Sequence, residues 1–201
     1  MIPNSIQNDL FYCYHIESDA NDQSDIMNFS VRPCKGGHLR EYINYYALND
    51  EDNGVMRTYL VRDRKSDELA AFFSLKAGLI SFDETEVLNL SDDKKKDIIF
   101  HTLPGVEIAY FAVNDSYIRK YPKLKGMGYI IYQDFILEII KKVSKDIGVK
   151  VIYLYSLPFE SLIERYKQYG FMRLNENDEK QLHARLKPKD DKNCIFMYST
   201  I

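Results

Sequence analysis

One stretch, Val106 to Ile147, limits what this chain can fold into more than any other: VEIAYFAV, then NDSYIRKYP, then KLKGMG, then YIIYQDFILEIIKKVSKDI. The first piece is apolar along most of its length, as expected of a strand covered on both faces. The last piece sets Ile131, Tyr132, Phe135, Ile136, Ile139, Ile140, Val143 and Ile147 on one broad face. Asp134, Glu138, Lys141, Lys142 and Lys145 fall opposite, which is the period of an amphipathic helix. Its lysines gather toward the C-terminal end, where they suit the helix dipole, and Gly148 is placed to be the C′ residue. Val149–Leu157 reads as another buried strand, so the whole is a right-handed βαβ unit with parallel strands.

The join between strand and helix carries the chemistry. Gly126 and Gly128 have no Cβ, so the backbone there can approach a ligand closely. The helix begins directly after them, and its first amide N–H groups have no partner inside the helix. Those donors and the positive end of the dipole suit a phosphate or pyrophosphate, and Lys123 and Lys125 add charge at the same place. The turn is not a P-loop, because no G-x-x-x-x-G-K-[ST] pattern follows Gly126. Nor is it a dinucleotide fingerprint, because Ile131 occupies the third glycine position.

Elsewhere the pattern is that of a mixed α/β domain. Residues 1–8 should be frayed, Leu10–Ile16 is a strand, and Glu17–Ser24 is a polar loop. His38–Leu48 has one apolar helical face. Arg57–Arg62 and Leu69–Ala77 form an antiparallel hairpin. Gly78–Pro104 reads as an insertion, and Pro158 opens a helix that Gly170 stops. Phe171–Leu174 and Cys194–Ser199 are strands, with a strongly polar loop between them. With 201 residues the expectation is one domain, with its core at 57–175, the insertion at 79–104 and the polar loop at 175–193.

Composition excludes several functions. The net charge of −3 gives no global attraction to nucleic acid or anionic lipid. No apolar run approaches the ~20 residues of a membrane span. The N-terminus lacks the basic start and apolar core of a signal peptide, which points to the cytoplasm. Cys13, Cys34 and Cys194 are scattered, and neither they nor His15, His38, His101 and His183 have metal spacing, so no metal is expected.

Two motifs in register give a resemblance. Lys123–Gly128 resembles the Q/R-x-x-G-x-G/A pyrophosphate loop of the GNAT superfamily of N-acetyltransferases. YKQYGF, Tyr166–Phe171, resembles that family's Y-x-x-x-G-F at the end of the next helix, one helix and one strand later. The resemblance implies a GNAT-like acyl-CoA N-acyltransferase fold: a central mixed sheet of roughly six to seven strands, splayed between the strands at 106–113 and 149–157, with helices on both faces. CKGGHLREYINYYAL followed by RTYLVRDRKSDELAAFFSLKAG is similar to the opening of acetyltransferase toxins from toxin–antitoxin pairs. There are departures: Lys123 replaces the usual Arg or Gln, and Phe159 stands where many members have Asn.

The resemblance implies acetyl-CoA as co-substrate, its pantetheine bonded to the backbone of Phe111, Ala112 and Val113. Lys123, Leu124, Lys125, Gly126, Met127 and Gly128 would take its pyrophosphate. Arg119, Lys120, Lys123 and Lys125 either pair with coenzyme phosphates or keep a surface segment soluble. Tyr166 matches the family's proton donor to the leaving thiolate, a role open to a phenol of pKa about 10. Glu107, in VEIAYFAV, resembles the base of histone-type members, and apolar neighbours would raise its pKa toward the useful range. Each has a plainer alternative, Tyr166 as core and Glu107 as a strand-end carboxylate facing water. The leading expectation is transfer of acetyl to a primary amine, of a small molecule or a protein, by direct attack in a ternary complex. The alternatives are a tRNA-acetylating toxin with an antitoxin partner, and a catalytically silent acyl-CoA sensor or scaffold. A homodimer is compatible with each.

Overall fold

The computed structural model describes residues 5–31, 36–82, 101–124, 126–185 and 193–201. The strands are β1 (Ile6–Gln7), β2 (Phe11–His15), β3 (Arg57–Asp63), β4 (Leu69–Phe82), β5 (His101–Val113), β6 (Val151–Ser156), β7 (Met172–Arg173) and β8 (Ile195–Thr200). Their hydrogen-bonded order is β1-β2-β3-β4-β5-β6-β8-β7, with β5 and β6 parallel. The pairs β1–β2, β2–β3, β3–β4, β6–β8 and β7–β8 are antiparallel. This is the mixed sheet expected, with one strand more, because β1 forms where residues 1–8 were read as frayed.

The helices are α1 (Ala20–Met27), α2 (Gly37–Tyr45), α3 (Ala47–Asp52), α4 (Asp115–Lys120), α5 (Met127–Ile131), α6 (Leu137–Asp146), α7 (Glu160–Gln168) and α8 (Glu176–Arg185). A π-helical turn, Tyr132–Ile136, joins α5 to α6. The chain's contacts group into two compact units, divided inside β4 and inside β5.

Unit 1 comprises residues up to Lys76 together with Ile108–Asp146. Tyr14, Ile26, Phe29, Tyr42, Leu60, Phe72, Tyr110 and Ala112 pack in its core, where the Tyr42 and Tyr110 rings stack with centroids 3.6 Å apart. The polar loop expected over Glu17–Ser24 is in fact the start of α1, capped by Asp19 accepting from the Asp22 amide. Its buried face holds the carboxylate of Asp22 beside Ile26, so an apolar periodicity could not reveal it. Arg62 from β3 pairs with Asp22 at 2.7 Å and with Asp25 at 2.5 Å.

Unit 2 comprises Ala77–Glu107 and Ile147–Ile201. β6 pairs with β8 along all its residues and with β5 over Gly105–Glu107 only. Ile80, Val151, Tyr153, Leu182 and Phe196 form its core. Two boundaries differ from expectation. β4 runs to Phe82 and β5 starts at His101, so the insertion expected at 79–104 shrinks to 83–100, outside the described residues. The loop expected at 175–193 begins with α8, a polar helix that buries Leu182; residues 186–192 lie outside the described residues.

Candidate active site

In unit 1, β5 delivers its last residues in alternation: Ala112 is buried, while Phe111 and Val113 are half-buried. Asn114 then ends the strand and caps α4, accepting from the Ser116 amide at 3.2 Å. Its own amide donates to Leu69 O at 2.8 Å, so the exit from β5 is fastened to β4. The cationic connection between β5 and the glycine turn is helical along Asp115–Lys120. That helix is short and starts on a polar cap, so it has too few turns for a hydrophobic period to register.

Carboxylates already engage two of the four cations. Lys120 donates to Glu68 at 2.7 Å, which raises the lysine's pKa and lowers that of Glu68. Arg119 lies 3.4 Å from Asp115. Lys123 is exposed, and Lys125 lies outside the described residues.

The turn itself has the form the sequence predicted. Gly126 is left-handed (φ 75°, ψ 15°) and caps α5; a Cβ there would meet nothing within 4 Å. Its carbonyl accepts from the amides of Tyr129 at 2.8 Å and Ile130 at 3.2 Å. The amides of Met127 and Gly128 have no acceptor among the described residues. Met127 anchors the turn by burying its side chain, and Leu124 N–H donates back to Tyr121 O at 3.0 Å. Past α5 the π-helical turn buries Tyr132, Phe135 and Ile136, and leaves Asp134 to accept from Asn8 at 2.7 Å.

Unit 2 holds the two residues expected to move protons. Tyr166 lies in α7, half-buried, its ring edge-on to Tyr169 at 5.9 Å and to Phe171 at 5.7 Å. Its hydroxyl makes no hydrogen bond among the described residues. Burial, then the neighbouring Tyr169, hold the phenol's pKa well above its ordinary value, with Arg165 opposing. Such a phenol stays protonated at neutral pH and is a donor rather than a base. Gly170 ends the helix at φ 94°.

Glu107 is half-buried on the last paired rung of β5 and β6, opposite Tyr153. The Tyr153 hydroxyl has its pKa raised by burial first and then by the nearby charge of Glu107. A Cβ on Gly78 would fall 1.8 Å from that hydroxyl, so β4 has glycine where the phenol lies. Tyr155 is two residues along the same face, its pKa pushed up to about 12 by burial and then by Glu107 and Cys194. His183 of α8 lies against Tyr155, ring centroids 6.0 Å apart. Its Nε2 is buried without a hydrogen-bond partner among the described residues. Tyr153, Tyr155 and His183 were not read from the sequence as site residues; the apolar run VIYLYS hides two phenols among strand residues.

Among the described residues no three His, Cys, Asp or Glu could hold a metal ion, and no helix is long and apolar enough to cross a membrane.

No protein-family model matches the chain, and no curated protein does. Solved structures do. AtaTR bound with AcCoA is 18% identical, with a TM-score of 0.63 and 94% of each chain covered. A tyrosine-to-phenylalanine mutant of KacT is 17% identical, with a TM-score of 0.62, 93% of this chain and 94% of that chain covered. AtaT complexed with acetyl-methionyl-tRNAfMet is 18% identical, with a TM-score of 0.57, 92% of this chain and 93% of that chain covered. The chain has the fold of these proteins, the GNAT-like mixed sheet.

Proposed function

We propose that the chain is a single GNAT-like domain, an N-acetyltransferase that moves the acetyl group of acetyl-CoA to a primary amine in a ternary complex. The observation that carries this reading is the left-handed Gly126 cap, with the amides of Met127 and Gly128 lacking an acceptor among the described residues, and exposed Lys123 a few positions before them. Oriented N–H donors at a helix start are suited to a diphosphate. Phe111, Ala112 and Val113 would bond the pantetheine amides, as an extended ligand bonds a strand.

The chemistry assigned to unit 2 is short. Glu107 takes a proton from the acceptor ammonium, freeing the lone pair that attacks the thioester carbonyl. The nitrogen of the adduct gives up its second proton to solvent, the carbon–sulfur bond breaks, and the thiolate takes a proton from Tyr166, whose phenolate is reprotonated from solvent, leaving coenzyme A and a neutral amide. The fold comparison adds support for a tyrosine here, since several similar structures are tyrosine-to-phenylalanine variants.

For the acceptor, the similar structures favour the amino group of an aminoacyl-tRNA over a free small amine, because AtaT is seen with acetyl-methionyl-tRNAfMet. AtaT is also seen with the C-terminus of the antitoxin AtaR, so a peptide antitoxin is the partner proposed with that acceptor. The test is thiol release from acetyl-CoA in the presence of methionyl-tRNA or a panel of primary amines. Release that requires one of these acceptors supports the proposal. Coenzyme binding without turnover on any acceptor would identify a silent acyl-CoA sensor, and no coenzyme binding would overturn both.

A further inference from the structure

We propose that Asp63, at the end of β3, is a positioning residue for the coenzyme turn. Through Tyr117 it holds α4 in place, and with α4 the spacing between the end of β5 and the Gly126 cap. The ligand comes from the acetyltransferase reading, on which this role rests. The hydrogen bonds that define the role lie within unit 1 and involve no coenzyme.

Residues 114–124 lead from Val113 toward the glycine turn, and one coenzyme would have to touch both ends. α4, which opens this stretch, has only six residues. A helix that short is not stable in water alone, so its place is set by what it leans on. It leans on the β3–β4 turn. Tyr117 is 2% exposed and donates its hydroxyl to Oδ2 of Asp63 at 2.5 Å. One helical turn later, Tyr121 sets its ring 4.7 Å from that of Tyr117 and donates to Glu68 at 2.8 Å. Leu124 N–H then returns to Tyr121 O at 3.0 Å, which carries the constraint to the edge of the glycine turn.

Asp63 divides its two oxygens between two tasks. Oδ1 accepts from the amides of Lys65 at 2.7 Å and Ser66 at 2.9 Å, which fixes the β3–β4 turn. Oδ2 is the atom that takes Tyr117. The turn is closed further by Asp63 N–H to Glu68 O at 3.0 Å and by Asp67 N–H to Asp63 O at 2.9 Å. Arg62 also donates to Asp67 O at 2.7 Å, so the anchor is itself held. Burial pushes the Asp63 carboxyl up, but the Tyr117 hydroxyl and the Ser66 and Lys65 amides outweigh it and hold it below the ordinary range. Burial first, and then Asp63, raise the phenol. At neutral pH the pair is therefore a carboxylate and a protonated phenol, a charge-assisted bond roughly twice as strong as a neutral one. The Lys120–Glu68 pair is the weaker hold, because that ammonium is exposed while Tyr117 is withdrawn from water. Once the buried bond is lost, α4 gains other placements. Coenzyme must then select the competent one, and its apparent affinity falls with the fraction that remains.

Calorimetry with coenzyme A on the full chain tests this, comparing wild type, Tyr117→Phe, Asp63→Asn and the double variant. Asparagine keeps an oxygen for the Lys65 and Ser66 amides but loses the charge that faces the phenol. Tyr117→Phe should raise the dissociation constant about fivefold, and the double variant no further, since both changes remove one bond. In thiol release, KM for acetyl-CoA should rise by the same factor with kcat held, because saturating coenzyme refills the competent placement. Ile26→Val, elsewhere in the core of unit 1, should lower Tm and leave the dissociation constant unchanged. An unchanged dissociation constant in Tyr117→Phe would overturn the role. So would a double variant whose loss equals the product of the two singles, or a matching loss in Ile26→Val. Should Tyr117→Phe fail to fold, Asp63→Asn decides: weaker coenzyme binding supports the role and unchanged binding overturns it. Wild-type protein that gives no heat with coenzyme A would overturn the acetyltransferase reading and this role together. Wild-type heat beside unaltered variants removes the role alone.

Discussion

Lys120 and Tyr121 converge on one oxygen of Glu68: the ammonium donates at 2.7 Å and the phenol at 2.8 Å. The β3–β4 turn therefore grips the segment that leads into the glycine turn, and it does so with the charge of Lys120. Lys123 has no carboxylate partner among the described residues. The two lysines should then differ toward coenzyme A. Lys120→Ala is expected to change its dissociation constant by less than about twofold, since an exposed pair contributes little. Lys123→Ala should weaken it about fivefold at low salt and less at high salt, as a screened phosphate contact would. Calorimetry at two ionic strengths measures both.

Gly126→Ala separates folding from binding. A Cβ at this position meets no atom, so the penalty to folding is the left-handed backbone alone, about 1 kcal/mol. The amides of Met127 and Gly128 keep their direction only while that conformation holds. Coenzyme affinity should therefore fall by more than tenfold with only a few degrees lost in Tm, whereas equal losses in both would mean the turn is merely structural.

Tyr166→Phe should reduce turnover about a hundredfold or more while leaving fold and coenzyme affinity intact. The ring's edge contacts with Tyr169 and Phe171 survive the change, and the hydroxyl has no partner among the described residues to strand. Stability should move by less than about 0.5 kcal/mol. Unchanged kcat in the variant would remove Tyr166 from the reaction.

Where the sequence was informative, local pattern and tertiary demand agreed. The β3–β4 hairpin, the glycine turn and the helix ended by Gly170 all follow from residue type at fixed spacing. Where it was silent, the deciding partner lay far along the chain. α1 turns a carboxylate inward because Arg62 waits there, and α8 buries only Leu182 among polar neighbours. The π-helical turn leaves no trace in an apolar period, since Tyr132, Phe135 and Ile136 fit a regular helix equally well. Glu107 was visible as a candidate, but its Tyr153 partner, forty-six positions on by sequence, required the register of two parallel strands.

Acid should loosen unit 1 through Glu51. Burial pushes this carboxyl up, but the approach of His15 Nδ1 at 3.0 Å, the Thr58 amide at 2.6 Å and Arg57 at 3.0 Å outweigh it and hold the pKa below the ordinary 4.5. A depressed folded-state pKa means the unfolded chain takes the proton first, so stability is full above the ordinary value and drains as pH falls through the folded one. Urea midpoints should favour the wild type over Glu51→Gln by a constant margin above about pH 5, shrinking steadily below it. A margin that stayed flat down to the acid transition would rule this out.

The Arg62 network tests whether buried charge here stabilises the fold or only specifies it. Arg62 donates to Asp22 at 2.7 Å, to Asp25 at 2.5 Å and to the Tyr14 hydroxyl at 2.7 Å, and Tyr14 in turn donates to Asp22 at 2.6 Å. Arg62 and Asp22 are almost wholly withdrawn from water, and Oδ2 of Asp22 has no hydrogen-bond partner among the described residues. Desolvation of both ions is therefore only partly offset by their bonds. Removing one partner strands the other, so Asp22→Ala should cost about 3–5 kcal/mol in urea unfolding. Replacing all three together, Arg62→Met, Asp22→Leu and Tyr14→Phe, leaves no charge to strand, since Asp25 is well exposed and can return to water. That triple variant should recover most of the loss. If it stays as unstable as Asp22→Ala, the pairing contributes more than its desolvation cost, and α1 owes its place against β3 to the charges themselves.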